Sequence, residues 1–140
     1  MEIKIFESLN ADAMMIRQAV FIDEQGFKEE WDDADKRALH IVMYDADEPI
    51  ATCRIIPTDK EDTAILGRLA VMKKHRAGGV GSHLISLVCD LLITRGVRTI
   101  ILHAQERALP FYEKNGFVTF GERDYDEDCP HRWMKRNIGN

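Results

Sequence analysis

The sequence predicts one mixed α/β domain over residues 1–140, with a mostly antiparallel sheet flanked by helices. Short runs in which apolar and polar residues alternate, separated by turn residues, predict the strands. Longer segments with apolar residues at steps of three and four predict the helices. Because no linker rich in Ser, Gly or Pro and no repeat with a period of about 20–50 residues divides the chain, we expect one domain. The predicted element order is β-α-β-β-β-α-β-α-β-β.

The chain opens with a short strand and a helix. From Ile3 onward apolar and polar residues alternate, which is typical of a strand. A helix is predicted from Ala11 to about Glu24, because Asn10 is a favourable N-cap residue. Gly26 is its natural end.

Residues 23–37 are polar and acidic, and they predict a structured loop or a short helix around the aromatic residues Phe27 and Trp31. An antiparallel meander follows, because three apolar runs are joined by short polar connections. Its predicted strands are 40–44, 50–56 and 64–71.

The second half is expected to hold two helices and three strands. A helix with one buried face begins at Val80, where apolar residues recur at steps of three and four, and ends at Gly96. The apolar run 99–102 predicts a buried strand. A short helix is expected around Tyr112. The last strands are predicted at 117–120 and 132–138.

The composition excludes several classes of partner. With 19 Lys+Arg against 24 Asp+Glu the formal charge is −5, which argues against nucleic-acid and anionic-membrane binding. No apolar segment approaches the roughly 18 residues that span a bilayer, and the N-terminus lacks the features of a signal peptide. We therefore expect a cytoplasmic protein.

The three cysteines, Cys53, Cys89 and Cys129, are expected to be reduced thiols. They are odd in number and widely spaced, without a C-x-x-C pair. Cys129 and His131 indicate a metal site only weakly, because further ligands are not apparent. We expect no metal.

The stretch from Leu69 to Ser82 places a strand end, a basic turn and a glycine-rich turn directly before a long helix. Unpaired N–H groups at a helix N-terminus favour anions, and glycines let a phosphate approach the backbone closely. This predicts a diphosphate site; the alternative is a tight connection with solvated lysines. The segment is neither a P-loop nor a dinucleotide fingerprint, because Gly-Lys-Ser/Thr and G-x-G-x-x-G are both absent.

Two segments, in this order, resemble signatures of the GNAT superfamily of acyl-CoA-dependent N-acyltransferases. Residues 76–81, RAGGVG, fit the pattern R/Q-x-x-G-x-G/A. About 25 residues on, residues 105–117 resemble the pattern N-x-x-A-x-x-x-Y-x-x-x-G-F, with Gln105 where the family commonly has Asn. The resemblance covers roughly residues 38–120, and the flanking segments look like a bacterial subgroup of acetyltransferases.

The resemblance implies a role for individual positions. In a sheet splayed near its centre, the bulged fourth strand at Leu69, Ala70 and Val71 would pair its main chain with the pantetheine arm and polarise the thioester carbonyl. Gln105 would contact the pantetheine arm. Tyr112 would protonate the departing thiolate, since a phenol with an ordinary pKa of about 10 suits a thiol of similar acidity. Backbone donors would hold the pyrophosphate at Arg76, Ala77, Gly78, Gly79, Val80, Gly81 and Ser82.

The implied function is an acetyl-CoA-dependent N-acetyltransferase in which an amine attacks the thioester directly. A carboxylate or a histidine is expected to accept the proton of the amine, and the residues alone do not single one out. The candidates are Glu24, Glu29, Glu30, His103, Glu106 and His131, with His103 expected at the end of its strand. The acidic loop 23–37 and the stretch 122–128 either frame the mouth of the acceptor site, where they would attract a cationic amine, or are solvated faces.

Two other functions stay open. The domain could retain acyl-CoA as a sensor or partner-recognition module without turnover. It could also bind a nucleotide, although the meander before the glycine-rich turn does not fit a βαβ start. The acceptor is not identified: a polyamine, amino sugar, amino acid, antibiotic or protein N-terminus would all fit. An exposed strand at the C-terminal end could pair between subunits of a homodimer.

Overall fold

The structure, a computed structural model, describes residues 1–28 and 30–139. The strands are β1 (Glu2–Phe6), β2 (Leu39–Asp45), β3 (Glu48–Pro57), β4 (Thr63–Val71), β5 (Thr99–Gln105), β6 (Val118–Asp126) and β7 (Cys129–Asn137). They form a seven-stranded sheet in the order β1-β2-β3-β4-β5-β7-β6, in which β4 and β5 are parallel and the other described neighbours are antiparallel. The predicted mixed, mostly antiparallel sheet is confirmed.

Helices cover both faces of this sheet. They are α1 (Ala11–Arg17), α2 (Val80–Thr94) and α3 (Leu109–Lys114), with short 3-10 turns at Asp33–Lys36, Lys73–His75 and Glu106–Ala108. Side chains of β2 alternate between two apolar clusters: Ile41 and Met43 pack in the cluster that contains α2, and Val42 and Tyr44 in the one that contains α1. The two helices therefore lie on opposite faces. In the part of the chain that the structure describes, no helix combines the length and the apolar character needed to cross a membrane.

The first helix changes type halfway along. Asn10 caps it as predicted, because its side chain accepts a hydrogen bond from the N–H of Ala13 at 2.9 Å. The α-helical part ends at Arg17, and the chain continues as a π-helix over Gln18–Glu24. Gly26, with a φ of +76°, follows its end. The predicted extent of the helical segment is confirmed, and its second half is a π-helix.

The two parallel strands in the centre separate after a short stretch. Thr63–Leu66 pairs with Thr99–Leu102, and beyond these residues β4 and β5 have no common ladder. At the same point two residues of β4, Arg68 and Leu69, stand opposite Cys53 of β3. Arg68 has a φ of +53°, in the left-handed region that side chains disfavour. The strands are therefore splayed beside a β-bulge, as expected.

Three arginines and three carboxylates form a buried ionic network beside this bulge. Its members are Arg17 of α1, Arg54 of β3, Arg68 of β4, and Glu30, Asp32 and Asp35 of the acidic loop. Asp35 accepts hydrogen bonds from Arg17 at 2.8 Å and from Arg54 at 2.9 Å. Glu30 accepts a further one from Nε of Arg17 at 2.6 Å. The network links α1 and the loop to the two strands.

The network corrects one interpretation of the acidic loop, because Glu30 and Asp35 are buried rather than part of a solvated face, while Asp32 is 41% exposed but paired with Arg54 and Arg68. Burial acts to raise the pKa of Asp35, but hydrogen bonds from Arg17 and Arg54 outweigh it and hold that pKa well below the usual range. Burial raises the pKa of Glu30, and the nearby Arg68 and Arg17 offset this only in part. Buried charges of this kind are tolerated only when they are paired.

Three features of the last strands differ from the prediction. β5 runs to Gln105, so His103 lies within the strand rather than at its end. β6 extends over Val118–Asp126 and takes up most of the acidic stretch, which an edge strand tolerates because its side chains remain exposed. The C-terminal strand β7 lies between β5 and β6. The edges of the sheet belong to β1 and β6, so β7 is not the exposed strand that was expected at the C-terminal end, and the pairing of subunits stays a prediction.

Replacing Asp35 with alanine should destabilise the protein by about 3–5 kcal/mol, because it leaves two buried arginines short of a partner. The matched control is Asp33→Ala on the same 3-10 turn, where the side chain is 98% exposed; we expect a change within about 0.5 kcal/mol. Urea unfolding at pH 7 measures both. Because folding lowers the pKa of Asp35, its stabilisation is present above about pH 4 and fades as the pH falls further. Equal stabilities of the two variants would contradict the buried network.

Candidate active site

Two adjoining cavities lie where β4 and β5 separate. The larger cavity has a volume of about 460 Å³ and the smaller cavity one of about 190 Å³. The residues that line both are Gln25, Leu69, Arg107, Ala108 and Tyr112. Two molecules, one in each cavity, would therefore meet at these shared residues.

The larger cavity follows the open edge of β4 toward the start of α2. Leu69–Val71 line it, and after Leu66 the edge of β4 that faces β5 has no ladder partner among the described residues. Backbone N–H and C=O groups on such an edge need partners, which a bound ligand can supply. Arg76 and Gly81 also line this cavity.

The glycine-rich turn leaves backbone donors free at the start of α2. Gly79, with a φ of +79°, is the N-cap residue. The N–H of His83 donates to the C=O of Gly79 at 2.9 Å. The N–H groups of Val80, Gly81 and Ser82 precede this hydrogen bond and have no partner within the helix. This is the arrangement that favours an anion.

Arg76 holds the turn against the π-helix. Its guanidinium donates to both carboxylate oxygens of Glu24, at 2.7 and 2.9 Å, and its Nε donates to the C=O of Val71 at 2.9 Å. The hydrogen bonds from Arg76 lower the pKa of Glu24. Because the side chain of Arg76 is engaged in this way, the backbone N–H groups of the turn are the main hydrogen-bond donors to an anion. Residues 77–80 and Ser82 form the turn and the helix start but do not line the larger cavity.

Tyr112 lies on α3 between two aromatic neighbours. Its ring packs edge-on against Phe111 and Phe117, with centroids 5.1 and 5.8 Å away. Its hydroxyl has no hydrogen-bond partner in the described part of the chain, although the side chain lines both cavities. Burial, with a smaller contribution from Cys53, raises the pKa of Tyr112 well above its ordinary value. The expected unperturbed pKa is therefore wrong.

Gln105 lines the smaller cavity rather than the larger one. Its side-chain amide donates to the amide oxygen of Gln25 at 2.7 Å, and it accepts from Nε of Arg107 at 2.8 Å. Both partners belong to the wall that the two cavities share. Gln105 thus fixes that wall, a role that the sequence did not suggest.

The candidates for a proton acceptor separate into three groups. Glu24 and Glu106 are each paired with an arginine, Arg76 and Arg123, and do not line the smaller cavity. Glu30 lines it but belongs to the ionic network. His103 and His131 line the smaller cavity outside that network. Glu29 lies outside the described residues.

The two histidines are part of a row of side chains on one face of the sheet. The ring of His103 stacks on that of His131, with centroids 4.5 Å apart, and lies 4.9 Å from that of Trp133. Nε2 of His103 lies 2.6 Å from Oδ1 of Asp124. Nδ1 of His131 lies 2.9 Å from the C=O of Cys129. Asp124 was missed as an individual residue, because the sequence indicated only an acidic stretch.

The described residues, 1–28 and 30–139, contain no group of three or more His, Cys, Asp or Glu that could hold a metal ion. Cys129 and His131 are linked instead through a backbone carbonyl. The site is therefore an arrangement of backbone groups, histidines, carboxylates and one half-buried phenol.

Comparison with known proteins identifies the family. Residues 4–117 match the acetyltransferase (GNAT) family. The chain is 33% identical over 129 residues to the uncharacterized N-acetyltransferase YjcF of Bacillus subtilis, covering 90% of this chain and 91% of that protein. An inferred N-acetyltransferase from Lactobacillus plantarum has a crystal structure that matches with a TM-score of 0.90 at 27% identity, covering 98% and 97% of the chains.

An aminoglycoside 6'-N-acetyltransferase complexed with coenzyme A shares the fold, with a TM-score of 0.75 at 20% identity over 99% of this chain and 97% of that one. The family match covers most of the chain and includes both the open edge of β4 and the glycine-rich turn. This chain therefore belongs to the GNAT acetyltransferase family.

Proposed function

We propose that this chain is an acetyl-CoA-dependent N-acetyltransferase that transfers the acetyl group to a primary amine by direct attack on the thioester. The position of Tyr112, in the wall shared by the two cavities, carries this proposal. The larger cavity takes acetyl-CoA and the smaller cavity takes the amine. The nitrogen and the thioester carbon then meet beside Tyr112.

The larger cavity and the start of α2 beside it suit the two polar parts of the donor. The open edge of β4 at Leu69–Val71 offers backbone partners for the amides of the pantetheine arm, and an N–H there polarises the thioester carbonyl. The N–H groups of Val80, Gly81 and Ser82 bind the pyrophosphate. The coenzyme A complex of the aminoglycoside enzyme that shares this fold supports the choice of donor.

Tyr112 donates a proton to the departing thiolate. A phenol is already protonated at neutral pH, and burial raises the pKa of Tyr112 further, so that it carries a proton to give. The thiolate forms beside the same cavity wall, where partial desolvation disfavours its charge as well, so that the two groups remain matched.

The acceptor is a primary amine that fits beside the smaller cavity. Asp126, a lining residue of that cavity, is exposed and adds negative charge that favours a cationic amine. We expect neither a nucleic-acid partner nor a membrane partner. The three cysteines are free, which agrees with a reaction in the cytoplasm.

Gly81→Val should weaken acetyl-CoA binding by at least about tenfold, because the binding surface at the start of α2 is displaced. A side-chain carbon at this position would lie 3.0 Å from the ring of Phe111 and 3.7 Å from Val71. Ser86→Val, at an exposed position on the same helix, is the matched control with near wild-type binding. Calorimetric titration with acetyl-CoA measures both. Unchanged affinity in Gly81→Val would exclude this surface from the donor site.

Tyr112→Phe should lower kcat by about 100-fold to 10,000-fold, since the thiolate loses its proton donor. Acetyl-CoA affinity should stay close to wild type. Tyr125→Phe, an exposed tyrosine on β6, is the matched control. Thiol release is followed with spermidine, glucosamine, lysine, kanamycin and a peptide with a free N-terminus. Unchanged turnover of Tyr112→Phe across pH would remove Tyr112 from this role. If the wild-type protein binds acetyl-CoA but turns over none of these amines, a non-catalytic acyl-CoA module is favoured instead.

A further inference from the structure

We propose that His103, oriented by Asp124 and stacked on His131, accepts the proton that the attacking amine loses. The proposal rests on the proposed acetyl transfer, because it names a catalytic residue for that reaction. Among the candidates that the structure describes, His103 and His131 line the smaller cavity without being tied to an arginine of the buried network.

The strand register brings this pair together. His103 of β5 stands opposite Trp133 of β7, and Gln105 stands opposite His131. His103 and His131 therefore project from the same face of the sheet. Asp124 of β6 is paired with His131 on that face. Three strands thus contribute one side chain each to a compact Asp-His-His cluster.

The contact with Asp124 determines where His103 can accept a proton. Nε2 lies 2.6 Å from Oδ1 of Asp124. A carboxylate only accepts hydrogen bonds, so this nitrogen carries the proton. In the neutral ring the lone pair is then on Nδ1, which has no hydrogen-bond partner among the described residues. Asp124 holds the ring in this tautomer and stabilises the positive charge that forms, as a carboxylate does for a histidine base.

His131 complements this arrangement. Its Nδ1 lies 2.9 Å from the C=O of Cys129, which can only accept, so Nδ1 carries the proton and Nε2 carries the lone pair. The stacked ring fixes the plane of His103 at a centroid distance of 4.5 Å. The other charged residues that line this cavity are Glu30, Arg68, Arg107 and Asp126. Glu30 and Arg68 form an ion pair with each other. Asp124 is the charged residue in direct contact with His103.

The proton balance of the transfer closes with these residues. A neutral amine attacks the carbonyl carbon, so that a C–N bond forms and the C–S bond breaks. The proton released from nitrogen goes to Nδ1 of His103, directly or through one water molecule. Tyr112 gives its proton to the thiolate sulfur. The imidazolium and the phenolate then return to their starting states by exchange with solvent, so that no net proton is gained or lost by the protein.

The first test is kinetic. His103→Gln should lower kcat by about 100-fold to 10,000-fold while acetyl-CoA binds within about twofold of wild type. Log kcat/KM against pH should have a slope of about two at acid pH in the wild type, because both amine and imidazole must lose a proton, and of about one in His103→Gln. Asp124→Asn should lower kcat mainly. Asp126→Asn removes a charge from the same cavity without touching either ring, so its effect should fall on KM.

The second test needs no turnover. Nitrogen-15 NMR of the imidazoles at pH 8 should show His103 protonated on Nε2 and His131 protonated on Nδ1. A wild-type pH profile in His103→Gln, or an Nδ1-protonated His103, would overturn the proposal. Absence of turnover with every amine would contradict the acetyl transfer itself, whereas the NMR result would still decide the orientation of His103.

Discussion

The separation of β4 from β5 beyond Leu66 and Leu102 is the constraint on which the rest of this structure depends. It opens both cavities, and it requires a bulge whose residue Arg68 has a left-handed backbone. Such a conformation is unfavourable, so neighbouring contacts must stabilise it. The guanidinium of Arg68 lies 3.1 Å from Glu30 and 3.3 Å from Asp32. The buried ionic network thus holds the bulge open while it anchors α1 and the acidic loop.

Much of the fold follows from short-range patterns in the sequence. Asn10 and Gly26 mark the limits of the first helical segment, and the apolar steps from Val80 onward define α2, because capping and helical periodicity are local properties. The change to a π-helix at Gln18 has no local signal. The position of β7 between β5 and β6 depends on long-range pairing, which residue alternation along one strand does not determine.

The candidate site shows the same division. The glycine-rich turn and Tyr112 are recognisable because their motifs are contiguous. The buried ionic network is not recognisable in this way. An acidic loop is solvated unless arginines from distant strands reach it, and nothing in the residue pattern indicates that Arg54 and Arg68 do so. The position of Asp124 opposite His131 depends on an irregular register. After Phe120, the next residue of β6 that pairs with β7 is Asp124, whereas a regular ladder would have placed Glu122 opposite His131.

The sharpest test of the donor site is a titration of nitrogen-15-labelled protein with acetyl-CoA, with ATP and NAD titrated in parallel and the backbone amides followed by NMR. Saturable shifts at Leu69–Val71 and at Gly79–Ser82, obtained with acetyl-CoA but not with the two nucleotides, are the predicted result. Shifts confined to the surface groove around Ser86 and Arg136, or no saturable shift at all, would contradict the assignment of the larger cavity to acetyl-CoA.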